Sequence, residues 1–479
     1  MRAVLLAGLL IAVPMSAGED DLAAAIARLD RGLADRIVAV GRKAKASGQK
    51  ATARTAFERA LDLSPDHASA RSELGYVRSG GRDWGRTAAR EGAAAAWRDA
   101  DKSKAEVFRR EMDGILAERT AAVLDACRTH GAPETSRPYL LRLLEADPDL
   151  EEARRLLGHE KIGGRYVRPE LAPLARAMPE RLKPWDAARR ARAAAVALPD
   201  PFPLAAAPQA ITLYEVAGRW RIGLDIKGAE AVEVAERTEA TFALLHHLYG
   251  KDARGACPPI LLIRRDLWEK LLDERIPDEA RRKTVRYGNM YQGPECVAIP
   301  RNAPDEKLDS FGNLLGVQMA MAASSRLGPD GQPLRSQPWY VQGIAYVVTL
   351  EVYDRALTLT WTKESMARVK DPPPLPPTRT GCAEWVRRQV RSGAACPIKD
   401  LLGKTHNEIP MPSCIQAASF LRFLYLYDAD AARRLPAAMR DAEGGQAEAA
   451  RKGLEGAFGM SVEDLDALWR AFVLDVDVP

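Results

Sequence analysis

From about residue 21 to 200, apolar positions recur at helical spacing. In Ala51 to Leu63, ATARTAFERALDL, they form one helical stripe. Ser64-Pro65-Asp66 interrupts it, and His67 to Tyr76, HASARSELGY, restarts the helix. The same string returns later. Pro148, Ala153, Arg154, Leu157 and Gly158 stand where Pro65, Ala70, Arg71, Leu74 and Gly75 stood. Gly80-Gly81-Arg82 before Trp84 is matched by Gly163-Gly164-Arg165 before Tyr166. Between the copies, roughly 88 to 130, an Ala- and Arg-rich stretch predicts an amphipathic helical hairpin. A single repeat cannot bury its apolar face alone, so neighbours must stack. Such a stack serves either as structural support or as a concave protein-binding surface.

The pattern changes at Leu198 to Pro208, a Pro-rich stretch that reads as an extended connector. Ile211 to Val216 and Trp220 to Ile226, around Ala217-Gly218, predict a β-hairpin. A helix is expected over Ala231 to Tyr249, a short buried strand over Pro258 to Arg264 and a helix over Leu267 to Leu272. Another strand is expected over Asn289 to Ile299, with helices from Lys307 to the end. Strands followed by helices make an α+β chain. An all-α repeat region precedes a domain with a small mixed sheet and a mostly helical C-terminal part. The expected divisions are 1–18 for a leader, 19–197 for the repeats, 198–209 for the linker and 210–479 for the second domain.

The leader has Arg2, an apolar run from Ala3 to Val13 too short to span a bilayer, then Pro14 and the small residues Ser16 and Ala17. That is the layout of a secretory signal peptide, with a buried N-terminal helix as the alternative. It predicts export to a periplasmic or extracellular space. No Cys follows the run, which argues against a lipoprotein anchor. No later stretch is apolar enough for a membrane span, so none is expected in the mature chain. The 70 Lys and Arg against 65 Asp and Glu leave +5, scattered without a basic block, so no nucleic-acid partner is expected. Of the six cysteines, five lie in the C-terminal half, and no C-x-x-C pair occurs. Cys382 and Cys396 are the nearest disulfide candidates, a link that would add roughly 3 kcal/mol.

The helix, turn, helix arrangement around Pro65 resembles a tetratricopeptide repeat. The region Lys307 to Asp354 carries a second resemblance. Leu308, Phe311, Leu315, Gln318, Met319 and Ala322 share one helical face. After a break at Gly328 to Gly331, Pro338-Trp339-Tyr340-Val341-Gln342-Gly343-Ile344-Ala345-Tyr346 opens a second helix, with Val341, Ala345, Val348 and Val352 on one face. This pair resembles the gluzincin metallopeptidases, the peptidase MA-like group with a thermolysin-type catalytic domain. Their first helix carries H-E-x-x-H, often followed by Gln. Their second opens with Pro and Trp, then Glu-Gly-x-Ala. The two His and the later Glu hold zinc, and the first Glu activates the metal-bound water.

That resemblance places the first His at Asn313, the catalytic Glu at Leu314, the second His at Val317 and the third ligand at Gln342. Gln318, Trp339, Gly343 and Ala345 keep the family's residues. Gln416 to Leu424 resembles the helix that follows. Phe458-Gly459, Ser461 and Leu465 to Trp469 resemble the usual ending, with Ser461 and Asp464 as an N-cap pair. The likeness covers roughly 210 to 475. Val317 cannot bind metal, Leu314 cannot take a proton, and Asn313 and Gln342 offer only neutral amides. The chain has six His and no H-E-x-x-H anywhere.

The implied protein is therefore a non-catalytic pseudo-peptidase without zinc or other cofactor. Gln318, Trp339, Gln342 and Gly343 would line a retained cleft that binds a protein or peptide. An active hydrolase using other groups and a purely structural scaffold are the alternatives. His246-His247 reads as one packed and one solvated side chain. His406 with Glu408 is either an acid/base pair or surface loop. Pro372 to Pro377 is either a polyproline ligand or a rigid loop.

Overall fold

A computed structural model describes residues 17–79, 83–86, 97–130, 133–147, 149–217, 220–226, 228–250, 258–288, 291–293, 295–301, 337–355, 378–405 and 408–477. The chain forms two compact units, Met1–Lys161 and Ile162–Pro479.

In the first unit, α1 (Ala17–Ala46) and α4 (Lys102–His130) are long helices. Arg36 on Glu118, Lys43 on Glu111 and Arg119 on Asp30 fix them antiparallel. Of the hairpin expected over 88 to 130, residues 102 to 130 form α4, and 88 to 96 lie outside the described residues. The two copies of the repeat match in detail. The first has α2 (Lys50–Leu63), α3 (Ala68–Glu73) and the strands β1 (Tyr76–Ser79) and β2 (Asp83–Arg86). The second has α5 (Pro133–Ala146), α6 (Glu151–Leu156) and the strands β3 (Glu160–Ile162) and β4 (Arg165–Val167).

In both copies the second helix stops after 6 residues. Gly75 at φ 87° and Gly158 at φ 73° take left-handed conformations that a Cβ would disfavour, and each chain turns into a hairpin. A tetratricopeptide repeat continues there as a full helix, so the copies depart from that pattern. Ala53, Ala56, Phe57, Ala60 and Ala70 of the first copy pack on Ile37, Ala44, Met112 and Ile115. Leu140, Leu143 and Ala153 of the second pack on Leu22, Ile26, Val123 and Leu124. Both copies thus share the same two long helices.

The second unit takes in β4 and then α7 (Ala172–Arg190) and a mixed sheet ordered β5-β6-β7-β8-β10-β9. The strands are β5 (Ala195–Ala197), β6 (Thr212–Val216), β7 (Trp220–Leu224), β8 (Ile260–Arg264), β9 (Tyr291–Gln292) and β10 (Val297–Arg301). β6 and β7 form the expected hairpin, and β8 runs parallel to both β7 and β10. The strand expected over 289 to 299 is instead two short antiparallel ones.

Helix α8 (Ala229–Tyr249) covers one face of the sheet, over Ile222, Ile260 and Leu262. Helix α9 (Arg265–Arg275) covers the other, over Leu261 and Ile263, and α10 (Glu279–Gly288) follows it. Burial on both faces explains why β8 reads as a continuous apolar run. The Pro-rich connector, expected to be extended, turns at Leu204 to Ala210 and is not a free spacer. Phe202 and Leu204 are buried in the α9 layer, and the Leu198 and Phe202 amides donate to Leu213 and Ile211.

The remaining helices are α11 (Pro338–Tyr353), α12 (Arg379–Arg391), α13 (Ile398–Leu402), α14 (Met411–Tyr427), α15 (Ala429–Asp441), α16 (Gln446–Phe458) and α17 (Val462–Asp475). They share one apolar core with α7 and the C-terminal half of α8. The α+β class is observed, with a small mixed sheet and a mostly helical end. Ser461 caps α17, accepting from the Asp464 amide at 3.1 Å and donating to its carboxylate at 2.6 Å. No described helix is long and apolar enough to cross a membrane.

Candidate functional site

Helix α11 is apolar on nearly every side, which dictates burial, and its inner residues are enclosed by the helical core. Pro338 starts it, where the missing N–H costs nothing, and Asp354 ends it in a left-handed conformation at φ 53°. Gly343 faces α14. A Cβ there would lie 2.5 Å from Leu421 Cδ1 and 3.2 Å from the Ala417 carbonyl carbon. Glycine therefore sets the separation of the two helices. Trp339 is fully buried, 6.3 Å from the Phe420 ring centre. Its Nε1–H and the Tyr346 hydroxyl lack hydrogen-bond partners among the described residues.

Of the residues expected to line a cleft, Trp339, Gln342 and Gly343 are thus packed in the helical core, Gln342 being only 2% exposed. Gln318, Asn313, Leu314 and Val317 lie outside the described residues. At the position that the resemblance gives to the third ligand, the Gln342 amide would be a poor zinc ligand. No group of three or more His, Cys, Asp or Glu able to hold a metal occurs among the described residues.

Sequence reasoning passed over a different feature. A cavity of about 280 Å³ opens between α7, α11, α12 and α14. Its walls are apolar: Leu182, Val347, Leu350, Val386, Ile415 and Ala418 line it. At one side stand Arg189, Glu351, Arg379, Arg422 and Asp477. Glu351 is the only charged residue of α11, and its side chain is 2% exposed. Such a charge must be paired. Arg422 Nε lies 2.9 Å from it, Arg379 Nη1 3.2 Å and Arg189 Nε 3.6 Å. Arg422 also binds the Asp477 carboxylate. Burial alone lowers the Arg422 guanidinium, but Asp477 and Glu351 outweigh it and hold it above its ordinary value. The signal in the sequence was one Glu in an otherwise uncharged helix.

Cys382, Ser419 and Thr380 also line the cavity. Burial pushes the Cys382 thiol up to about 12, so it stays protonated. Ser419 Oγ accepts from Trp469 Nε1 at 3.1 Å. Among the described residues, none of Cys127, Cys296, Cys382, Cys396 and Cys414 is in a disulfide. The expected Cys382–Cys396 link is therefore corrected. Cys382 sits in the first turn of α12 and Cys396 lies beyond its C-terminal end, so the rigid helix holds them apart. His246 is exposed and His247 half-buried against Trp185, ring centres 5.6 Å apart, as expected for one solvated and one packed side chain. Glu408 accepts from the Thr405 amide and hydroxyl at 3.0 and 2.9 Å, which keeps it below its usual range. That carboxylate closes a turn. His406 and Pro372 to Pro377 lie outside the described residues.

Comparison with protein-family models, curated proteins and solved structures finds no match.

Proposed function

We propose that the chain is an exported, non-catalytic pseudo-metallopeptidase of the gluzincin kind, which binds a protein or peptide and uses its repeat region for interaction. One observation carries this reading. In α11 the retained residues Trp339, Gly343 and Ala345 are those that pack the helix, while the zinc-ligand position holds a buried amide, Gln342.

The test is metal analysis of the purified mature protein together with a peptide-cleavage assay. The expected result is no stoichiometric zinc and no cleavage. Stoichiometric zinc, or cleavage abolished by a chelator, overturns the reading. Export is tested by N-terminal sequencing, with cleavage expected between about Ala17 and Glu19. A mature protein that still begins at Met1 refutes it.

A further inference from the structure

We propose that the cavity between α7, α11, α12 and α14 binds a small monocarboxylic acid with an apolar body. The proposal stands whether or not the chain is related to a peptidase. Three facts about the cavity carry it: its walls, its guanidinium donors and its size.

The walls would accept hydrocarbon. Leu182, Val347, Leu350, Val386 and Ile415 offer no hydrogen-bonding side-chain atom. The charged side carries three guanidiniums, Arg189, Arg379 and Arg422, against two carboxylates, Glu351 and Asp477. Arg422 is held by both carboxylates. Arg379 and Arg189 then share the remaining oxygen of Glu351. Asp186, which does not line the cavity, takes Arg189 Nη2 at 2.6 Å. Arg189 Nε remains buried without a hydrogen-bond partner among the described residues. Arg379 is the most exposed of the three, at 40% against 24% and 19% for Arg189 and Arg422. With Asp186 counted, the cluster is balanced, three guanidiniums against three carboxylates, and two of the guanidiniums have donors to spare. A carboxylate takes up such donors, because guanidinium pairs with carboxylate in a planar, bidentate geometry. A dication or a neutral alcohol would not.

The size bounds the body. A dry cavity of roughly 150 Å³ takes up benzene, so about 280 Å³ admits on the order of ten non-hydrogen atoms. Octanoate is the matching probe.

The experiment is calorimetric titration of the full mature chain with octanoate, 1-octanol and octylamine. Saturable one-to-one binding of octanoate is expected, with 1-octanol at least about tenfold weaker and octylamine weaker still. Arg379→Gln should weaken octanoate at least about tenfold while leaving 1-octanol unchanged, since Arg422 still pairs with Glu351. Ala383→Trp, which fills the cavity from the α12 side without touching a charge, should abolish binding of both. Circular dichroism establishes that each variant is folded. A Leu-terminated hexapeptide, as free acid and as amide, identifies the source of the carboxylate. Binding of the free-acid peptide assigns a peptide C-terminus, and binding of octanoate alone assigns a free acid. Octanoate that fails to bind the folded chain, or binds no better than 1-octanol, overturns the proposal. So does binding that Ala383→Trp leaves intact.

Discussion

Replacing Gly343 with Val tests whether α11 and α14 are held apart by the missing side chain. Intrinsic helix propensity favours the change by a few tenths of a kcal/mol, because Gly is among the poorest helix formers. Packing opposes it. The Cβ alone would meet Leu421 Cδ1 at 2.5 Å and the Ala417 backbone at 3.2 Å, and Val adds two further methyl groups. A leucine methyl at a surface could swing aside, but Leu421 is fully buried and Ala417 presents main chain. The helices must separate, at about 2–3 kcal/mol, near the upper end of overpacking costs. The assay is urea unfolding of Gly343→Val, Leu421→Ala and the double variant. Leu421→Ala alone should cost about 2–5 kcal/mol for its cavity, yet it makes room for the valine. The double variant should therefore be more stable than the sum of the singles by about 1 kcal/mol or more. Additivity within about 0.5 kcal/mol would refute the reasoning, because Gly343 and Leu421 would then not be in contact.

Glu351→Gln leaves Arg422 buried with only Asp477 for charge compensation, and should destabilise the second unit by about 3–5 kcal/mol in the same assay. Loss below about 1 kcal/mol would mean that the cluster is solvated. Burial, with Arg433 and His246, lowers His247 to about 4, against an unfolded value near 6.5. The unfolded chain therefore takes up the proton first. This histidine's contribution is complete above pH ~6.5 and is lost as the pH falls towards 4. His247→Gln should flatten that part of the stability profile, and an unchanged profile would count against it. Cys296, Cys382 and Cys414 are each pushed up to about 12 by burial, so the folded protein should resist alkylation near pH 8. Denaturation without reductant should release at least the five described thiols, and fewer would restore the disulfide expectation.

Periodicity carried most of the fold. The β6–β7 hairpin, α8 and β8 follow from apolar spacing and turn residues, and the Ser461 cap from a local pattern. The repeat was visible because the same short string recurs. Its termination was not, because Gly75 and Gly158 end a helix only through their left-handed conformation, and a single Gly does not announce that. Of the candidate site, the α11 residues were legible as a motif. That they are packing residues depends on α14, some seventy positions later. The cavity was invisible because Arg189, Glu351, Arg379 and Arg422 come from four helices, and no local pattern links them. Glu351 alone carried a signal, since a carboxylate in an apolar helix requires partners.

The sharing of α1 and α4 by both repeat copies has a consequence for how the first unit comes apart. In an open solenoid each repeat touches only its neighbours, so unfolding can begin at an end and advance one repeat at a time. Here the first copy rests on the C-terminal half of α1 and the N-terminal half of α4, and the second on the opposite halves. Neither copy can leave without stripping apolar cover from a helix that the other also uses. The unit should therefore melt in one cooperative transition, with hydrogen-exchange protection rising and falling together across both copies. For the same reason, no cut placed between the copies would yield two half-sized folding units. A cut before α4 leaves each fragment one of the two long helices, and a cut after α4 leaves the second copy with neither.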